Sequence, residues 1–179
     1  MTEDSVITLH KTLKTSFYCG SISILDTDTF VVSTTDNQPV RTIDVHGNER
    51  EIQHKLLPDK TDSFTWSSAC AYIPSTKTLV FSDQLQHTVY MCDLTSGDGR
   101  VIVNDQIHSP TGVCAGPAGT VFVCSRDTDS VVQLSPQGDV LASNRVDKGL
   151  PLAVHVAEDG TRLVVLSNNF ETIKLYSIV

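Results

Sequence analysis

The sequence predicts an all-β chain folded as a β-propeller of about four four-stranded blades, and a repeated phrase with its spacing carries that prediction. The apolar runs 30–32, 79–81, 121–124 and 163–166 each end at a serine, and Ser33, Ser82, Ser125 and Ser167 stand 49, 43 and 42 residues apart. Within three residues of each serine comes Asp36, Asp83, Asp127 or Asn168, side chains that close turns on nearby backbone amides. A self-similar period near forty residues marks a repeat architecture. Four short strands per period make the unit a propeller blade.

The clearest unit runs from Ser109 to Gly138. Pro110, Gly112 and Val113 open a first strand, and Gly116, Pro117 and Gly119 make a turn. Residues 121–124 form a second strand, and Ser125, Arg126 and Asp127 turn the chain into a third. Strands this short, with turn signals this close, pair antiparallel with their sequence neighbours.

The whole chain, 1–179, reads as one propeller domain. Residues 5–9 form an isolated outer or latch strand, followed by blade 1 (10–56), blade 2 (57–104), blade 3 (105–146) and blade 4 (147–179). Alternation in 21–25 and 40–43 has the two-residue period of strands. A linker is expected at 56–65, around Pro58. Blade 4 ends with its third strand and lacks an outer one of its own. Two arrangements satisfy that count: a closed four-bladed ring latched by 5–9, or an arc of a six-bladed propeller, which is the preferred reading. An arc leaves unpaired backbone at an edge, which predicts self-association.

Aligning the blades gives columns. Phe17, Trp66, Pro110 and Pro151 approach the first strands, and two residues later Cys19, Ser68, Gly112 and Ala153 are small where inner strands converge. Two residues further stand Ser21, Cys70, Cys114 and His155, read as packing residues because they form no local ligand pair. Cys124 aligns with Val32, Phe81 and Leu166 as core. No cofactor or metal is expected.

These residues resemble an NHL repeat: Pro110, Gly112, Val113, Gly119, the apolar second strand, Ser125, Asp127, Val132, Leu134 and Gly138. Blades 1 and 2 are degenerate, with Phe17 and Trp66 in place of the proline. Glu158, Asp159 and Gly160, with Lys174, Leu175 and Tyr176, are similar to the last blade of tripartite-motif NHL proteins. The resemblance implies the partner-binding propeller of a ubiquitin ligase. The paired Cys/His spacing of the RING and B-box domains is missing, so no enzyme activity is expected of this chain.

Composition narrows the partners. With 13 basic and 21 acidic residues, a formal charge of −8 disfavours a nucleic acid, whose binding is driven by Lys and Arg. No apolar run is long enough to cross a bilayer. The acidic N-terminus lacks the pattern of a secretion signal, and five cysteines read as reduced thiols, so the chain is expected in the cytoplasm. The expected function is a non-catalytic scaffold for a protein partner. Binding of single-stranded RNA is the alternative, and a metal-dependent propeller enzyme of the lyase or lactonase type is a third reading. Antiparallel connectivity gathers the expected binding face from loops on one side: Tyr18, Trp66, Gln84, Gln86, His108, Arg126, Asp127, Asn169 and Phe170. Large aromatics and arginine carry binding energy at such rims.

Overall fold

The computed structural model describes residues 9–34, 40–54, 69–146, 149–167 and 172–178. Blade 1 comprises β1 (Cys19–Ile24), β2 (Thr29–Thr34), β3 (Arg41–Asp44) and β4 (Glu49–Glu51). Blade 2 comprises β5 (Cys70–Ile73), β6 (Thr78–Asp83), β7 (Thr88–Asp93) and β8 (Gly99–Ile102). Blade 3 comprises β9 (Pro110–Ala115), β10 (Val121–Ser125), β11 (Ser130–Leu134) and β12 (Val140–Arg145). Blade 4 comprises β13 (Pro151–Val156), β14 (Arg162–Ser167) and β15 (Ile173–Ser177). Each sheet is antiparallel with its strands in chain order, so the predicted apolar runs are the second, interior strands. The latch strand at 5–9, apart from Leu9, and the linker at 56–65 lie outside the described residues. Leu9 itself is not in a strand and is 84% exposed.

Turn chemistry explains where strands stop. The Asp44 carboxylate accepts the backbone N–H groups of His46 and Asn48, both at 2.9 Å, and the Asn48 side chain at 2.7 Å. In blade 2 the equivalent Asp93 accepts from Thr95 and Ser96, and in blade 3 the Ser135 hydroxyl accepts from Gln137 and Asp139. These are the Asx and serine turns that end a third strand and start a fourth.

Successive blades pack face to face, β1 to β5, β5 to β9 and β9 to β13, and among the described residues no packing of similar extent returns from β13 to β1. Each sheet therefore has one face towards the preceding chain and one towards the next blade. Phe81 faces back onto Val31 of blade 1, Val123 onto Val80 of blade 2, and Val165 onto Phe122 and Cys124 of blade 3. Val32 faces back too, onto Leu13 and Phe17 of the N-terminal segment.

That register corrects the column alignment. Val32, Phe81, Val123 and Val165 are equivalent, each two residues before a buried polar strand end: Thr34, Asp83, Ser125 and Ser167. Ser33 and Ser82 are therefore one residue out of step with Ser125 and Ser167, and a one-residue slip exchanges the two faces of a strand. Cys124 and Leu166 face the next blade while Val32 and Phe81 face the previous one, and Leu166 is only half-buried. On the inner strands the small column is Ser21, Ala69, Gly112 and Ala153, shifted from Cys19 and from Ser68, which lies outside the described residues. The supposed Cys/His column also separates. Cys70 faces blade 1, Cys114 faces blade 4, and the residues aligned with Cys114 and His155 are Ser23 and Ala71. Phe17 precedes β1 by two residues as expected, but its side chain packs with Val32 and Ile43 of β2 and β3. It is buried under the outer face of blade 1, with the Arg41 guanidinium 5.2 Å above its ring.

Hydroxyls stitch the inner strands together. Ser21 Oγ accepts the Cys70 N–H at 2.8 Å, Ser23 Oγ accepts that of Tyr72 at 3.0 Å, and Ser82 and Thr111 donate to the Thr111 and Pro151 carbonyls. Gly112 shows why the column is small: a Cβ there would stand 2.7 Å from both Ala153 Cα and the Leu152 carbonyl oxygen.

The two ends of the blade stack are apolar and uncovered. Ile22 and Ile24 of blade 1 are 65% and 67% exposed, and Ile173 and Leu175 of blade 4 are 67% and 65% exposed.

Two predictions follow from the packing. Phe81 is fully buried between blades 1 and 2, so Phe81→Ala should lower unfolding free energy by about 3–5 kcal/mol in denaturant titration, whereas Leu175→Ala should stay within about 1 kcal/mol. Gly112→Ala should cost about 1–3 kcal/mol, because backbone rather than a flexible side chain occupies the space. A Gly112→Ala protein as stable as the parent would mean the inner strands can part.

Candidate functional site

The four inner strands enclose a groove of about 880 Å³. Its walls combine small residues such as Ser21, Ser23, Gly112 and Ala153 with the larger side chains of Ile22, Tyr72 and His155. Gln84 and Arg126 line it from the turns after β6 and β10. Each stands one residue beyond the buried polar strand end of its blade, Asp83 or Ser125.

The turn after each second strand meets the segment entering the next first strand, as the connectivity predicts. Around blades 2 and 3 these loops are tied by side chains. The Ser109 N–H donates to His87 Nδ1 at 2.8 Å, and the Ser109 hydroxyl donates to the Asp127 carboxylate. Ser125 Oγ accepts the His108 N–H at 2.9 Å, and the Arg126 and Asp127 amides donate to the Ser109 and His108 carbonyls. The His87 and His108 rings lie 5.4 Å apart. His87 and Ser109 both adopt left-handed φ, 54° and 48°, a conformation non-glycine residues avoid unless surrounding bonds hold it.

Five of the nine predicted face residues are therefore gathered here: Gln84, Gln86, His108, Arg126 and Asp127. Tyr18 is 76% exposed on the segment entering β1. Trp66, Asn169 and Phe170 lie outside the described residues. Three members escaped sequence reasoning. Leu85 is 57% exposed at the tip of the turn after β6, between the two glutamines, and His87 and Ser109 bond the two loops together. The available signal was the buried strand-end column, which places 84–87 in the same turn as 126–129.

Asp83 separates electrostatically from the other turn aspartates. The Asn48 amide and nearby N–H groups hold the Asp44 carboxyl down at about 2, and the Ser96 and Thr161 amides lower Asp93 and Asp159. Asp83 makes the same kind of turn, with Oδ1 accepting from Leu85 and Gln86. It is only 1% exposed, however, and burial raises its pKa against those bonds and the nearby His87. Its Oδ2 is buried without a partner. Burial likewise pushes the Cys114 and Cys124 thiols up to about 12, so both are protonated packing groups at neutral pH.

Comparison with solved structures rests on shape. A chain of a nidogen/laminin complex aligns at TM-score 0.71 and 12% identity, over 89% of this chain and 60% of that one. Virginiamycin B lyase from Staphylococcus aureus aligns at 0.63 and 14%, over 88% and 55%. Hydrazine synthase from Kuenenia stuttgartiensis aligns at 0.68 and 16%, over 96% and 49%. The chain is a β-propeller. It spans between 49% and 60% of the length of these three neighbours. No family model and no curated protein matches the sequence.

The buried carboxylate gives a pH prediction. A raised pKa means the folded state binds the Asp83 proton more tightly than the unfolded chain, so its contribution favours folding at low pH and is lost as pH rises through the folded value. Asn keeps the Oδ1 acceptor and carries no charge. Asp83→Asn should therefore melt above the parent at pH 7, with the difference shrinking as pH falls through the carboxylate range. A constant difference across that range would show that Asp83 does not titrate with folding.

Proposed function

We propose that this chain is a non-catalytic, partner-binding propeller module whose protein-binding surface is the loop face of blades 2 and 3. The observation that carries this is a fixed frame with an exposed tip. His87, Ser109, Asp127 and Ser125 bond the loops to one another, while Leu85, Gln86 and His108 remain exposed beside them. A surface already held in one conformation loses little freedom when a partner docks, which favours affinity. The NHL-like phrase supports the same reading, since it resembles propellers that recognise partners for tripartite-motif ubiquitin ligases. The structural neighbours also include a nidogen/laminin complex, a structure of one protein with another.

The reading is tested by placing a photo-crosslinking amino acid at position 85 and irradiating the chain in cell extract. A discrete protein adduct is expected at 85 and not at 141, where Leu141 is comparably exposed on the outer strand of blade 3. An adduct removed by ribonuclease would replace the protein partner with RNA. Equal labelling at 85 and 141 would remove the loop face from consideration.

A further inference from the structure

We propose that the inner groove is a carboxylate-binding site, with Arg126 as its anchor. This goes beyond the partner-binding reading and does not depend on it: Arg126 and Gln84 border the loop face, but the groove they line lies between the inner strands, whereas the exposed tip is Leu85, Gln86 and His108. Arg126 lines the groove, and its Nε is shielded from water with no acceptor. A guanidinium stays charged at any physiological pH and offers five donors in a planar fork. Withdrawing part of it from water without a counter-charge is costly, and such groups are normally paired.

The sequence has 21 acidic against 13 basic residues, yet no described acid is paired with Arg126. Arg126 forms no ion pair among the described residues. The acids of the surrounding loops are committed elsewhere: Asp127 to the Ser109 hydroxyl, Asp129 to the Leu150 amide at 2.8 Å, and Asp83 to the amides of its own turn. No Asp or Glu among the described residues lines the groove. The groove thus presents the guanidinium of Arg126, unpaired among the described residues, in a wall that carries no described carboxylate and whose other ionisable side chains include His155, Cys114 and Tyr72.

Its volume, about 880 Å³, admits an organic ligand and not merely an ion. A carboxylate matches the fork of one guanidinium bidentately, and a single cation suits a monoanionic group better than a phosphate dianion. Gln84, at the equivalent position of the neighbouring blade, lines the same groove. The carboxylate can belong to a free organic acid or to a glutamate side chain in a peptide.

The test is a ¹H–¹⁵N NMR titration at physiological ionic strength, where exposed charges of the acidic chain are screened. The probes are glutarate, the capped peptide Gly-Gly-Glu-Gly-Gly, its Gln counterpart, and inorganic phosphate. Glutarate or the Glu peptide should shift the Arg126 Nε–H and the amides of Gly112 and Ala153. Tighter binding of glutarate assigns the site to free acids, and tighter binding of the Glu peptide assigns it to acidic chains. Arg126→Gln should raise Kd at least tenfold, Arg126→Lys should fall between, and Arg100→Gln, on β8 outside the groove, should change nothing. Melting temperature checks that each variant is folded. Should Arg126→Gln not fold, the Lys variant and the Glu/Gln pair still decide. Equal binding of the Gln peptide, tighter binding of phosphate, an unchanged Kd in folded Arg126→Gln, or no shift with either carboxylate would each overturn the assignment.

Discussion

Everything in this chain depends on sheets that must bury both faces at once. A single four-stranded antiparallel sheet with valine, leucine and phenylalanine on both sides cannot persist in water, so each blade is stable only between neighbours. The described structure meets this demand with three apolar interfaces in series, each centred on the second strand of one blade and the first strand of the next. Close approach of the inner strands sets the limit. At Gly112 the neighbouring backbone comes within 2.7 Å of where a Cβ would be, and Ser21, Ala69 and Ala153 hold the same column small. Hydroxyls from Ser21, Ser23, Ser82 and Thr111 then satisfy backbone groups that the crowded inner edges cannot pair by a further strand.

The same demand explains the ends. On blade 1 the back-facing side is partly met by the chain itself: Leu13 and Phe17 cover Val32 and Ile43, and Arg41 spans from Phe17 to Glu49, 3.3 Å away. The N-terminal segment thus does for blade 1 what a preceding blade does for the others, over the outer half of the sheet. Ile22 and Ile24, nearer the centre, stay open. Blade 4 has no such cover among the described residues, and Ile173 stands where blade 3 buries Val131 against its neighbour. The exposed surface at the ends of the stack is therefore chiefly sheet face, not only the strand edge that the sequence led one to expect.

Much of this was legible in the sequence because period and alternation are properties of chemistry at fixed spacing. All four second strands fall on the apolar runs ending near Ser33, Ser82, Ser125 and Ser167, and the alternating segments 21–25 and 40–43 overlap β1 and β3. A strand such as β4, Glu49–Glu51, has no apolar residue to announce it. Register was not legible to one residue. Serine looked like the constant feature at the strand end, but what the four blades share there is a compact polar group that is buried. Threonine at 34 and aspartate at 83 provide it as serine does at 125 and 167. Choosing the serine before each of them moved blades 1 and 2 by one step and so exchanged their faces. The loop face survived that error, since a turn shifted by one residue still lies on the same side of the sheet. The bond between Ser109 and His87 joins residues 22 positions apart in different blades, and no local pattern encodes it.

The strand-end column also shows how one address in a repeat becomes a site. Ser125 there spends its hydroxyl on the His108 amide and fastens a loop. Ser167 leaves its hydroxyl buried and without a partner. Asp83 holds its own turn with one oxygen and keeps the other buried and unmet, so the position that is structurally routine in blade 3 carries a charge cost in blade 2. The residue that follows is freed by the same geometry: once the strand end is buried, the next side chain must leave the sheet, and in blades 2 and 3 it turns into the groove as Gln84 and Arg126. A propeller repeats this step in every blade, fixing the place of the side chain while leaving its identity open. Function in such a fold is written in the few positions where the repeat constrains direction and not chemistry.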